Sequence, residues 1–270
     1  MALLAETAEH DARGKTAAIY TELKRLGGVP MVALIFRHLA TIPGGLEWAW
    51  EAIGPAWSEG RLQEAAWRIA GDVPLEPITA ISRDTLAALD VDGFALDEIR
   101  VVLDAYNRAN PENMLSVLCL VRLLDGGLAP NERTLRPWTP PSPPGPLVAM
   151  ADVTKLSPEV TRVLDLVAAP GEPGGPRVVQ SLYRHFCHRP RFLALAATLL
   201  RQRFDDGTVG HGVARLGAAM SAAADEIVRG LWAPPAPNPA IGTACVRFGG
   251  SVIPQMIMVG RLLDQALPPR

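Results

Sequence analysis

The 270-residue sequence is short of cysteine, of aromatic residues and of net charge, and each shortage narrows what the chain can be. Its three cysteines, Cys119, Cys187 and Cys245, lie far apart, so neither a CxxC pair nor an even-numbered disulfide framework exists, and a reducing compartment is expected. Lys and Arg total 26 against 28 Asp and Glu, a formal charge of −2 that provides no broad positive field for phosphate backbones or anionic lipid. Nucleic acid is therefore not an expected partner. No apolar run approaches the roughly 18 residues that a membrane span needs. The start, Met1-Ala2-Leu3-Leu4-Ala5, meets Glu6 too soon to serve as a signal peptide, so a cytoplasmic location is expected, with no membrane partner. Aromatic residues make up only 6%, yet hydrophobic residues reach 49% and charged ones 20%, a balance that buries a core and excludes a disordered chain.

Proline, by contrast, is concentrated. Seven prolines fall between Pro130 and Pro146, including Pro140-Pro141-Ser142-Pro143-Pro144. Such a run forms neither helix nor central strand and favours extended polyproline II, so residues 130–149 are expected to be a linker. On either side Leu, Ala, Arg and Glu recur at helical spacing, as in Leu62 to Ile69 and Leu193 to Leu200, and period-two stretches of β-branched residues are scarce. An all-α chain is predicted.

The two flanks also resemble each other. Phe36-Arg37-His38-Leu39, Pro43 and Leu46 reappear 147 residues later as Tyr183-Arg184-His185-Phe186, Pro190 and Leu193. The same displacement pairs Gly27-Gly28 with Gly174-Gly175, Gly60 with Gly207 and Arg68 with Arg215. Towards the ends of the halves a displacement of 139 pairs Arg122-Leu123-Leu124-Asp125 with Arg261-Leu262-Leu263-Asp264. The expectation is two tandem pseudo-twofold helical repeats, residues 1–129 and 150–270, with a small-molecule cleft where they meet. Duplication leaves symmetric scaffolding, so chemistry should come from unlike residues at matching positions.

Several motifs fail on inspection. Gly14-Lys15-Thr16 has Glu9 where a phosphate-binding loop needs glycine. His185-Phe186-Cys187-His188 lacks the further ligands of a closed zinc site, and its repeat partner His38 has no such neighbours, so no metal is expected and the His38/His185 pair reads as structural. No serine sits in a nucleophile elbow. Cys187 reads as a half-buried cysteine rather than an activated thiolate. Trp48, Trp50, Trp57 and Trp67 read as core. Arg37 and Arg184, present in both repeats, either tie helix ends or hold a carboxylate, and the shared position favours the structural role. Asn107 and Asn110 are replaced by Val246 and Gly249 in the second repeat; Asn110-Pro111 is expected to begin an apolar helix, with Asn110 either its N-cap or a group that orients a water or a substrate oxygen.

Taken together, Val29-Pro30, Arg37-His38-Leu39-Ala40-Thr41-Ile42-Pro43-Gly44, Leu46 and Ala49-Trp50 resemble the first repeat of the group I 2-haloacid dehalogenases, which act on both enantiomers. Val102 to Pro111, with Tyr106-Asn107-Arg108-Ala109-Asn110-Pro111, is similar to a second landmark of that family. The resemblance implies an all-α fold of two tandem repeats, a homodimer, an active site between the repeats and no cofactor. It also implies direct attack of water on the halogen-bearing carbon, activated by an aspartate. The family's asparagine falls on Asn110 and its apolar wall on Met31 and Leu34. The aspartate's position, three residues after Gly175-Pro176, falls on Val179, preceded by Val178. Valine cannot take a proton.

Three readings follow. The first is a 2-haloacid dehalogenase-like protein whose cleft binds a short-chain carboxylic acid, with Val178 among its lining, and which lacks the hydrolytic dehalogenation or runs another reaction. The second is an active hydrolase whose base comes from elsewhere, such as Glu172, Asp205 or His185. The third is an interaction protein that binds a partner through exposed apolar helix faces.

Overall fold

The computed structural model describes residues 4–127, 138–167 and 179–270, and among them every regular element is helical, as the sequence predicts. The first half runs α1 (Gly14–Gly27), α2 (Leu34–Leu39), α3 (Gly45–Ser58), α4 (Arg61–Asp72), α5 (Arg83–Ala88) and α6 (Gly93–Arg122). The second runs α7 (Pro158–Val167), α8 (Ser181–Phe186), α9 (Pro190–Asp205), α10 (Thr208–Val228), α11 (Ala240–Arg247) and α12 (Ile253–Ala266), with a π-helical turn at Phe248–Val252 between the last two.

Local chemistry sets these boundaries. Asp92 caps α6 by accepting from the Ala95 N–H at 2.8 Å, and Ser82 caps α5 by accepting from Thr85 at 3.0 Å. Gly28 ends α1 in the left-handed region at φ 60°, where a side chain would be strained. Left-handed glycines also stand immediately before α4 and α10, Gly60 at φ 71° and Gly207 at φ 82°, 147 residues apart. The start of α2 at Leu34 and of α8 at Ser181 shows the same displacement.

One expectation is corrected. Asn110-Pro111 does not begin a helix: α6 continues through Pro111 as a single 30-residue helix. Proline removes one backbone donor, but the turns on both sides are buried, with Val102, Leu103, Ala105 and Ala109 before it and Met114, Leu115 and Val117 after it. That burial holds the helix together across the break.

The core sits between the halves. Along α6 and the C-terminal helices, close neighbours run in opposite order, Asn107 beside Gly260, Val117 beside Gly249 and Leu124 beside Gly242, so the two lie antiparallel with glycine at the crossings. The halves then grip each other reciprocally. Arg122 reaches α10 through the Ser221 carbonyl (3.1 Å) and Asp225, while Arg261 reaches the end of α4 through the carbonyls of Val73 (2.7 Å) and Gly71 (3.0 Å). Helix α2 packs on α11 and helix α8 on α6.

The segment before each short helix is bonded in the same way. Thr7 N–H donates to the Arg37 carbonyl at 2.9 Å, and Ala151 N–H to that of Arg184 at 3.1 Å. Arg37 also pairs with Glu6 at 3.1 Å, and Arg184 Nε donates to the Ala151 carbonyl at 3.0 Å. Both arginines thus tie chain segments together, as their recurrence in the sequence suggested. The described part of the proline-rich stretch packs against the body: Arg108 donates to the Ser142 carbonyl at 2.6 Å, and Leu147 and Val148 lie on the core.

Candidate functional site

Where α2, α6, α8 and the π-helical turn converge, they enclose a cavity of about 540 Å³, within the range of small-molecule sites. The turn before α2 contributes Pro30 and Met31, and α2 itself Leu34 and Arg37. From α6 come Tyr106, Asn110 and Asn113; from the opposite side come Val179, Gln180 and Ser181 ahead of His185. Phe248, Val252 and Met256 close the third wall, and residues 146–150 of the proline-rich stretch the fourth. The π-helical turn widens the backbone at this wall, a local irregularity often found at functional sites.

Four residues singled out from the sequence, Met31, Leu34, Asn110 and Val179, therefore line one cavity. Val178 lies outside the described residues, as does Glu172. Asp205 does not line the cavity; it is bonded to Arg201 at 2.8 Å on the exposed end of α9. Cys187 is buried, and its thiol pKa is raised by that burial, which suits a core residue. Trp48 and Trp57 are buried and Trp50 packs on the core. No three His, Cys, Asp or Glu side chains gather among the described residues to hold a metal. No helix among them is long and apolar enough to cross a membrane.

Three features of the walls escaped sequence reading. Gln180 is 4% exposed, and neither its Nε2 nor its Oε1 has a hydrogen-bond partner; the same is true of Asn110 Nδ2 and Arg37 Nε. Buried polar atoms are nearly always paired, because leaving one unpaired costs about 1–3 kcal/mol. Four such atoms belong to residues that line this one mostly apolar cavity. Gln180 had a signal in the sequence, a lone amide after Val178-Val179, but no motif singles it out.

The second feature is Glu9, the one carboxylate among the described lining residues. Both its oxygens are engaged: Oε1 accepts from the Val32 N–H at 2.8 Å and Oε2 from Lys24 at 2.8 Å. It pins the turn before α2 rather than facing a reactant. The third is a contact between Tyr106 and His185, whose hydroxyl and Nε2 lie 3.2 Å apart. His185 Nδ1 lies 2.6 Å from the Val148 carbonyl. Burial pushes the Tyr106 phenol up to about 12 and lowers the His185 imidazole, so both groups are neutral at pH 7.

No protein-family model matches the chain. A configuration-inverting 2-haloacid dehalogenase from Alcaligenes xylosoxydans xylosoxydans is 30% identical over 166 residues, 58% of this chain and 56% of the relative, so the match spans little more than half of that protein. Among solved structures, a D-2-haloacid dehalogenase mutant in complex with D-2-CPA superposes with a TM-score of 0.73 at 20% identity, covering 98% of this chain and 97% of the other. D-2-haloacid dehalogenase with L-LA gives 0.70 at 20% identity over 98% and 94%. At such identities the correspondence is one of architecture: the chain has the all-α fold of D-2-haloacid dehalogenase.

Proposed function

We propose that the cavity binds a small 2-substituted carboxylic acid, and that this chain does not run the carboxylate-activated hydrolysis implied by its resemblance to the group I 2-haloacid dehalogenases. The observation that carries the binding is the set of unpaired buried donors, Asn110 Nδ2, Gln180 Nε2 and Arg37 Nε, set among Met31, Leu34 and Val179. Donors of this kind suit a carboxylate's oxygens, and the apolar walls suit a short alkyl or halogen substituent. The relative of known activity acts on 2-haloacids with inversion, and two solved neighbours hold D-2-CPA and L-LA. Val179 supports the second half of the proposal, because the cavity wall there is aliphatic and Glu9 is already bonded at both oxygens. An active hydrolase with a different base is the second reading, favoured by the imidazole of His185 on the same wall.

The organisation around the cavity belongs to the same reading: two repeats, 1–129 and 150–270, joined by 130–149 and paired in turn as a homodimer. The matched bonds of Arg37 with Arg184 and of Arg122 with Arg261 support the repeat.

Calorimetric titration with 2-chloropropionate and bromoacetate, combined with halide release by the parent chain and Val179→Asp, tests the proposal. Acid binding by both, with release raised in Val179→Asp, is expected. Absence of acid binding refutes it. So does release by the parent with an acid limb near the carboxylate value of about 4.

A further inference from the structure

The repeat-equivalent histidines are anchored alike but face different groups. His38 Nδ1 lies 2.7 Å from the Ala5 carbonyl, and its ring packs 6.0 Å from the Phe248 ring. His185 Nδ1 lies 2.6 Å from the Val148 carbonyl, and its ring packs 5.6 Å from the Tyr106 ring. A carbonyl only accepts, so Nδ1 of each carries the hydrogen, and in the neutral ring Nε2 keeps its lone pair. For His185 that lone pair meets the Tyr106 hydroxyl at 3.2 Å, which must donate. The shared bond is scaffolding. The hydroxyl faces one of the two histidines only, and its residue, Tyr106, lines the cavity.

Charged neighbours act on both groups. Burial first, then Arg184 and His188 from the same segment, disfavour protonation of His185, while Arg37 of α2 and Arg184 favour loss of the Tyr106 proton. No carboxylate competes for the role among the described lining residues, since both oxygens of Glu9 are occupied.

We propose that Tyr106 and His185 form the proton acceptor of the cavity, activating water for displacement of halide from a bound 2-haloacid. A C–O bond forms at C2 as the carbon–halogen bond breaks, and the halide leaves with the bonding pair. The water proton passes to the Tyr106 oxygen while the phenol proton passes to His185 Nε2. The products are the 2-hydroxyacid, halide and an imidazolium that returns its proton to solvent. The assignment rests on the acid-binding reading of the cavity and adds a base to it.

Both enantiomers of 2-chloropropionate would be tested for binding by calorimetry and for chloride release, using the full chain, His185→Asn, Tyr106→Phe and His38→Asn. Asparagine at 185 keeps a donor for the Val148 carbonyl but cannot accept a proton. A positioned base contributes on the order of 10²–10⁴ in rate. Release should therefore fall at least about 100-fold in the first two variants, with binding kept within a few-fold, and persist in His38→Asn. In the parent, kcat/KM should fall on the acid side with a midpoint below the ordinary imidazole value. Thermal melting reports folding, and Tyr106→Phe, which keeps the ring, decides the matter if His185→Asn does not fold. Release that survives the variants overturns the assignment, as does an acid limb in the carboxylate range. Binding without release between about pH 5 and 9 overturns it while leaving the acid-binding reading intact. Failure to bind either enantiomer defeats that reading and the assignment with it.

Discussion

The crossing of α6 and α12 offers the sharpest test of how the two halves are locked. A methyl group at residue 260 would lie 2.1 Å from Asn107 Oδ1 and 3.2 Å from its Cγ, well inside van der Waals contact. Asn107 Nδ2 in turn donates to the Gly260 carbonyl at 3.3 Å, so moving the amide aside breaks that bond too. Overpacking of this kind costs about 1–3 kcal/mol. Replacing a mid-helix glycine by alanine returns about 1 kcal/mol of backbone entropy. Gly260→Ala should therefore destabilise the parent by about 1 kcal/mol, or roughly 2–4 °C in melting temperature for a chain of this size. In an Asn107→Ala background the obstacle is gone and only the entropic gain remains, so the same change should stabilise by about 1 kcal/mol. The coupling of about 2 kcal/mol is measured by urea melts of the four proteins in a double-mutant cycle. If Gly260→Ala has the same sign and size in both backgrounds, Asn107 is not what requires a glycine there. Because α6 and α12 also carry Asn110 and Met256 of the cavity wall, the parent variant should lose acid affinity as it loses stability.

Two further predictions concern buried polar groups. Glu112 is 1% exposed, its Oε1 has no hydrogen-bond partner, and burial holds its carboxyl well above the ordinary value, with Arg108 pulling weakly the other way. The folded chain thus keeps a proton that the unfolded chain releases. Its contribution is full below the unfolded carboxylate value of about 4.3 and is lost as pH rises through the folded value. Glu112→Gln should accordingly flatten the decline of the urea midpoint with rising pH and make the chain more stable at neutral pH; parallel pH profiles for the two proteins would contradict this. Gln180→Leu should separate stability from binding: removing two unpaired buried atoms leaves the melting temperature equal or higher, while acid affinity falls about 10- to 100-fold for the loss of a bond to a charged group. Calorimetry showing undiminished affinity would mean that Gln180 does not meet the ligand.

The fold class was legible because helical spacing is a short-range pattern. Met31, Leu34, Asn110 and Val179, which line one cavity, were singled out by the family resemblance rather than by any local pattern. What could not be read depends on burial and on distance between side chains. Pro111 reads as a helix start by local propensity, but tertiary burial of both adjoining turns carries α6 through it. Nothing local marks Glu9 as the clasp of the turn at Val32, 23 residues away, or Tyr106 as the partner of His185, 79 residues away. The proline-rich stretch reads as a connector by composition, yet residues 146–150 form a wall of the cavity, because extended chain exposes apolar side chains such as Leu147 and Val148 to the adjacent core.

The contrast between what the halves share and what they do not is itself informative. Shared bonds are those that place elements: the arginines that tie Arg37 and Arg184 to the preceding segments, the reciprocal reach of Arg122 and Arg261, the left-handed glycines before α4 and α10. Two differences fall on the cavity. The residue preceding α8 is Gln180 where the residue preceding α2 is Ala33, and the ring against His185 is Tyr106 where the ring against His38 is Phe248. In each pair the polar member belongs to a residue that lines the cavity. An unpaired amide and a phenol turned towards a neutral imidazole are stable only because packing elsewhere exceeds their cost, which is the pattern expected where a ligand, rather than the fold, completes the hydrogen bonding.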